Sequence, residues 1–343
     1  MIFSGLRILL IILIISVANL VNAQLINDSL EAGQRWNFHF QSTVTTQYHP
    51  AFHAKYSGLN SLDHFDESTI SVTSTIFLGA RLWKGAQAYF NPELSGGTGF
   101  SQTRGVAGFP NGEVYRVSDP TPHIYIARLY LRQLIALSDN KVFKTDDLNQ
   151  LAVREPDSYL CIIAGKFSIM DFFDINAYSH EPRTQFYNWA LMGNGAWDYP
   201  ANTRGYTYGL VVELVKKTWA VRYGLVMMPT TPNGSRMDFN IWRSNSSALE
   251  FQKSYKMGRQ SGISRNIGLF LRGSWNDGHN ETFVFTEIDR ALSLGISLSG
   301  LLWKMKDDNL GLAFLVNGLS ADHKNFLKAG GYGFIIGDGS LIH

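Results

Sequence analysis

Two arginines at alternate positions, Arg128 and Arg132, flank Tyr130. In an extended chain these three share a face, because successive strand side chains point to opposite sides. They offer guanidinium and phenol donors, which suit hydrogen bonding and charge selection more than bond cleavage. Glu213, Arg222 and Arg272 fall on the polar sides of other alternating segments. Glu213 and Arg222 are expected to pair diagonally across the Lys216-Lys217 turn. The stretch 171–204 is denser still. It holds Asp171, Asp174, His180, Glu181, Arg183, Trp189, Trp197, Asp198 and Arg204. It is too long for a hairpin turn and too aromatic for an ordinary solvated loop, so part of it is expected to fold inward. The blander alternatives are an outer cap for this stretch and a purely wall-stabilising role for the strand charges.

Other chemistries find little support. His39, His49, His53, Asp63 and His64 lie near one another in sequence, but their spacing matches no helical H-x-x-x-H pair and no Cys/His knuckle. One cysteine, Cys161, excludes an intramolecular disulfide framework. Gly165-Lys166 lacks the upstream glycine of a phosphate-cradling loop, and Gly96-Gly97-Thr98-Gly99 completes no dinucleotide fingerprint. Ser179 and His180 are adjacent, so in a strand they would face apart, and no G-x-S-x-G elbow is present. No enzyme activity and no cofactor are expected. The charge balance, 30 Lys+Arg against 28 Asp+Glu, gives no basic stripe for nucleic acid.

The elements that must position these residues are strands. In 291–302, Leu292, Leu294, Ile296 and Leu298 alternate with Ser293, Gly295, Ser297 and Ser299. One face is aliphatic and the other small and polar. Tyr206, Tyr208, Leu210, Val212 and Leu214 form a second apolar face. Trp219, Val221, Tyr223, Leu225 and Met227 form a third, and Leu310, Leu312, Phe314 and Val316 a fourth. Ile267, Leu269 and Leu271 alternate likewise, and in 124–137 Tyr125, Ala127, Leu129 and Leu131 are expected opposite the arginines. Further strands are expected at 36–48, 69–83, 87–93, 159–166, 250–256, 282–287 and 330–336. Helical periods are scarce.

Alternation of this kind fits two architectures. A soluble sandwich buries its aliphatic faces against each other, whereas an outer-membrane barrel turns them to lipid and keeps a wet interior. Three features favour the barrel. The polar face carries charges that would cost about 2–4 kcal/mol each if turned to mid-bilayer lipid. Aromatics sit near strand ends at Trp36, Trp83, Tyr206, Trp219 and Trp303, where interfacial girdles belong. Short turns alternate with long loops such as 95–110. The N-terminus agrees with export. Arg7 precedes the apolar run 8–21, which ends in Val21-Asn22-Ala23. Residues 1–23 are expected to be a cleaved signal peptide, leaving 24–343 as one barrel domain.

Several blocks resemble the carbohydrate-selective porins of the OprB type, in the form found in Bacteroidota-like bacteria. These are 75–93 (TIFLGARLWKGAQAYFNPE), 164–174 (AGKFSIMDFFD), 188–205 (NWALMGNGAWDYPANTRG), 275–281 (WNDGHNE) and 318–320 (GLS). The resemblance implies an all-β, antiparallel barrel of 16 strands that passes small saccharides by diffusion through the outer membrane of a Gram-negative bacterium. Its partners would be saccharides and outer-membrane lipid, and a homo-oligomer is compatible with it. The strand count falls short of 16 and the chain ends Gly339-Ser-Leu-Ile-His343 without a terminal aromatic strand. A C-terminally truncated barrel is therefore expected. A saccharide has apolar ring faces and a hydroxyl rim, so aromatics and charged groups should line its path. Arg128, Tyr130, Arg132, Glu213, Arg222 and Arg272 are the expected wall residues. Asp171, Asp174, Arg183, Trp189, Trp197 and Arg204 are expected at a constriction. The alternatives are a channel for other solutes and an outer-membrane barrel hydrolase.

Overall fold

A computed structural model describes residues 33–331 and 333, apart from 56, 59, 106–109, 115–118, 233, 255–265 and 281–286. Residues 1–23, expected as a signal peptide, lie outside the described residues, as does most of the strand expected at 282–287. The strands are β1 (Trp36–His49), β2 (Glu67–Trp83), β3 (Ala86–Gly97), β4 (Asp119–Ala136), β5 (Lys141–Lys144), β6 (Val153–Pro156) and β7 (Tyr159–Phe167). They continue as β8 (Thr207–Lys216), β9 (Trp219–Met227), β10 (Asn245–Lys253), β11 (Ile267–Trp275), β12 (Arg290–Ser299) and β13 (Asn309–Gly318). Two short helices are α1 (Trp189–Met192) and α2 (Ala321–Lys328). No helix among the described residues is long and apolar enough to cross a membrane.

Antiparallel neighbours join eight strands in the order β1-β2-β3-β4-β7-β8-β9-β10, and three more as β11-β12-β13. Among the described residues β5 and β6 pair only with each other, as an excursion between β4 and β7. Among the described residues no pairing joins β10 to β11 or β13 to β1.

The two faces of this wall differ as alternation requires. Leu269, Leu271, Leu292, Leu294, Leu310, Leu312, Phe314 and Val316 are exposed on one side. The opposite side of β2 and β3 buries Thr69, Ser71, Thr73 and Thr75 with Gln87, Asn91, Glu93 and Ser95. Residues 168–206 fold onto this inner face, and the principal core lies beneath them. Ile163, Phe167, Ile169, Phe173, Val211 and Val226 pack there with Tyr89 and Tyr130. Glycines admit the segment at close range. A Cβ on Gly268 would sit 2.1 Å from the Tyr178 ring, and one on Gly311 would sit 2.9 Å from Phe186. Neither strand could carry a larger residue there without displacing an aromatic anchor.

Three expectations need correction. Tyr125 does not share a face with Leu129 and Leu131. The ladder runs Asn91 to Arg128 and then Pro92 to Ile126, so Ala127 is an extra residue. Pro92 has no N–H to give the ladder, and the bulge beside it inverts the parity upstream. Ile124 and Ile126 therefore lie outward, while Tyr125 points in to Glu93. Tyr206 precedes β8 and is buried rather than set in an outer girdle. Glu213 and Arg222 stand directly opposite each other, not diagonally. The strand expected at 330–336 is preceded by α2, whose N-cap Ser320 accepts from the His323 backbone N–H at 3.0 Å. Residues 332 and 334–336 of that expected strand lie outside the described residues.

Candidate functional site

The central feature is a cavity of about 310 Å³ between the inner face of β2–β4 and the segment 168–206. Its charged lining pairs wall to segment. Arg128, on β4, donates to Asp171 through Nε at 2.7 Å and Nη2 at 2.6 Å, a bidentate fork that fixes both partners. Asp171 also accepts from the Ser168 backbone N–H at 3.0 Å, within a capping box that sets the start of the segment. Arg183 pairs with Glu113 at 2.7 Å and donates to the Thr43 hydroxyl of β1 at 3.2 Å. The segment thus reaches from its root after β7 to the first strand. Tyr187, whose hydroxyl lies 3.0 Å from that of Thr45, secures the same crossing.

A second carboxylate sits on the wall itself. Glu93 accepts from the Thr75 hydroxyl at 2.6 Å, from Tyr206 at 3.2 Å and from the Tyr125 phenol. The guanidinium of Arg204 lies 4.1 Å from the Tyr125 ring centre, and that of Arg128 lies 5.3 Å from the Tyr206 ring. Trp189 stacks on Tyr199 with an interplanar angle of 19°. The cavity therefore combines aromatic faces with guanidinium and carboxylate groups.

Burial shapes the loop charges. The Glu113 carboxyl is pushed up to about 7, chiefly by burial, with Arg183 pulling the other way. Burial likewise raises Asp174, against the opposing pull of Arg272, and lowers His180 against Asp171 and Asp174. Among the described residues no cluster of His, Cys, Asp and Glu could hold a metal ion. His39 instead contacts Asp146 at 3.1 Å, and His49 contacts Glu67 at 3.4 Å. Ser179 donates to the Leu191 carbonyl and makes no catalytic pair with His180.

The structure gathers Arg128, Asp171, Arg183, Trp189 and Arg204 around the cavity and places the other sequence candidates elsewhere. Tyr130 is core, 5.2 Å from Tyr89 and edge-on to Phe172 at 5.8 Å between ring centres. Arg132 faces the excursion and pairs with Glu155 at 2.5 Å. Arg222 bridges Glu213 at 2.7 Å and Glu250 at 2.6 Å across β8, β9 and β10. Arg272 donates to the Leu191 and Asp174 carbonyls, both at 2.8 Å, and so anchors the segment to the second sheet. Asp174 holds Asn194 through its backbone N–H at 2.7 Å and its Nδ2 at 2.6 Å. Trp197 packs on Tyr199, 5.4 Å between ring centres. Sequence reasoning missed Glu93, Glu113, Tyr125 and Tyr206. The parity test that found Glu213 would also have found Glu93, which shares its face with Tyr89 and Asn91. Glu113 lies in a connection with no period to read.

A wall that is greasy on one side and polar on the other, with a charged segment folded over the polar side, defines an all-β protein of porin type. The chain belongs to the carbohydrate-selective porin family, OprB, whose model matches residues 60–259 and 243–338. The fold is similar to that of Pseudomonas putida OprB, solved at high pH. The TM-score is 0.55 at 12% identity, over 86% of this chain and 78% of that one. No curated protein matches the chain. OprB porins are channels of the Gram-negative outer membrane rather than enzymes.

Proposed function

We propose that the chain is a passive outer-membrane channel for small saccharides, and that its solute path runs through the cavity between the wall and residues 168–206. The cavity's composition carries this reading. Trp189, Tyr199 and Tyr125 offer ring faces, while Arg128, Arg183, Arg204, Glu93 and Asp171 offer hydrogen bonds to a hydroxyl rim. Each guanidinium and carboxylate already has a partner, so a passing hydroxyl exchanges contacts rather than finding an empty charge. Such exchange keeps binding weak, and weak binding sustains flux. The outward leucines would face lipid, and the barrel would close with 16 strands. The segment 171–204 is the constriction in this reading. Arg128, Asp171, Arg183, Trp189 and Arg204 touch the solute. Arg272 and Asp174 hold the segment, and Tyr130, Arg132, Glu213, Arg222 and Trp197 support the wall or the segment's core. Nothing in this scheme consumes energy beyond the concentration gradient.

Liposome swelling tests it. Vesicles containing the purified protein should swell in iso-osmotic glucose or maltose faster than in an uncharged non-sugar solute of equal size. Equal rates for sugar and non-sugar would make the chain a general channel, and no swelling above protein-free vesicles would refute the channel altogether.

A further inference from the structure

The excursion between β4 and β7, residues 137–158, stands out at its end of the wall. The β2–β3 and β8–β9 connections at the same end are tight turns at Lys84-Gly85 and Lys217-Thr218. A long connection there, exposed to solvent, would carry no consequence for a solute. This one turns back onto the inner face. Its tip is a closed turn in which Asp147 and Gln150 exchange backbone hydrogen bonds at 3.0 and 3.1 Å. Asn149 sits in the left-handed region, at φ 51°, which asparagine tolerates better than most side chains.

Three wall strands grip the excursion. Asn37 of β1 donates from Nδ2 to Asp146 Oδ1, the Asp147 carbonyl and the Gln150 carbonyl at 3.0–3.2 Å. Asn91 of β3, wholly buried, donates from Nδ2 to Asn149 Oδ1 at 2.9 Å. Arg132 of β4 holds Glu155 at the hairpin's base. Gln34 and Ala152 add a reciprocal pair at 2.7 and 2.8 Å. The effect is to place Leu148 and Asn149 in the lining of the same cavity that residues 168–206 bound from the other side. With its oxygen engaged by Asn91, the Asn149 amide keeps two N–H donors.

We propose that the turn 146–150 is a second jaw of the solute path, and that Asn149 is a specificity-determining residue that donates to solute hydroxyls. This rests on the saccharide reading above, and it assigns the cavity a contact from the short-turn end of the wall.

Cysteine labelling in planar bilayers tests it. The single native thiol is buried, so Cys161→Ala provides a silent background. In that background Asn149→Cys, modified by a sulfonate-bearing methanethiosulfonate, should lose at least half of its single-channel conductance. The same label on Val142→Cys, an exposed β5 position outside the cavity, should change nothing. Leu148→Cys serves as a second reporter, because cysteine at φ 51° is strained and the 149 variant can fail to fold. Labelled channels with unchanged conductance, or open channels whose cysteine resists the reagent, overturn the proposal. In a second arm, Asn149→Ala should raise the half-blocking sugar concentration about fivefold, the value of one neutral hydrogen bond. Unchanged block would remove Asn149 from the contact set. If no sugar blocks the parent channel, the saccharide reading fails while the labelling arm still reports the path.

Discussion

Replacing Arg128 with alanine should turn a neutral pair into a lone negative charge on the solute path. Asp171 keeps its backbone bond from Ser168 after the change, so its carboxylate stays in place. An ion passing about 4 Å from it feels about 1 kcal/mol even at the dielectric of water. That energy is worth about fivefold in local concentration at room temperature. Attraction of cations and repulsion of anions act together, so the cation-to-anion permeability ratio should rise about five- to twentyfold at low salt. Screening limits the effect. The Debye length is about 10 Å at 0.1 M and about 3 Å at 1 M, so the shift should shrink at the higher concentration. The double variant Arg128→Ala, Asp171→Asn should return the ratio close to that of the parent. Zero-current potentials across planar bilayers, recorded under a KCl gradient at both salt levels, give the ratio directly. An unchanged ratio in Arg128→Ala, or a shift that is just as large at 1 M, would refute the placement of this pair beside the path.

Three further outcomes follow from the same geometry. Arg222→Ala leaves Glu213 and Glu250 without their shared cation, and should cost about 3 kcal/mol in detergent unfolding; Arg222→Lys should recover only part, since a lysine ammonium lacks the planar, pre-set fork of the guanidinium. Glu113 titrates near 7 in the folded chain against an ordinary value of 4.5, so the folded state retains a proton that the unfolded chain releases. Stability should therefore fall as pH rises from about 4.5 to about 7 and stay lowered above that window. Glu113→Gln should flatten this share of the profile, leaving the variant up to about 3 kcal/mol more stable at pH 8 and no different at pH 4; a gain at pH 4 as large as that at pH 8 would contradict the argument. Leu294→Arg should cost about 2–4 kcal/mol in lipid vesicles, because its exposed face would meet hydrocarbon. A neutral result there would mean the face is bathed in water.

The wall was legible from sequence because its rule is local. A leucine at every second position of 292–298 needs no distant partner to declare its face, and the register confirms the same parity on β11 and β13. The arginines of β4 were placed on the inner side by the same reasoning. The parity failed at Tyr125 because the bulge depends on Pro92, a residue of another strand. The cavity was less legible for the same reason on a larger scale. The segment 171–204 announced itself by composition, but its anchors are Thr43, Glu113 and Arg272, far off in sequence. The excursion's tip is held by Asn37 and Asn91, whose amides look in the sequence like ordinary strand polars. Tertiary polar pairs of this kind leave no period behind, so no periodicity test could have found them.

Single-channel recording of the purified protein in a planar bilayer tests the central claim most directly. Discrete conductance steps in KCl are expected, which maltose reduces in a saturable, concentration-dependent way, while a non-sugar solute of equal size leaves them unchanged. A membrane that stays silent, or steps that sugar never attenuates, would contradict a saccharide path through the cavity.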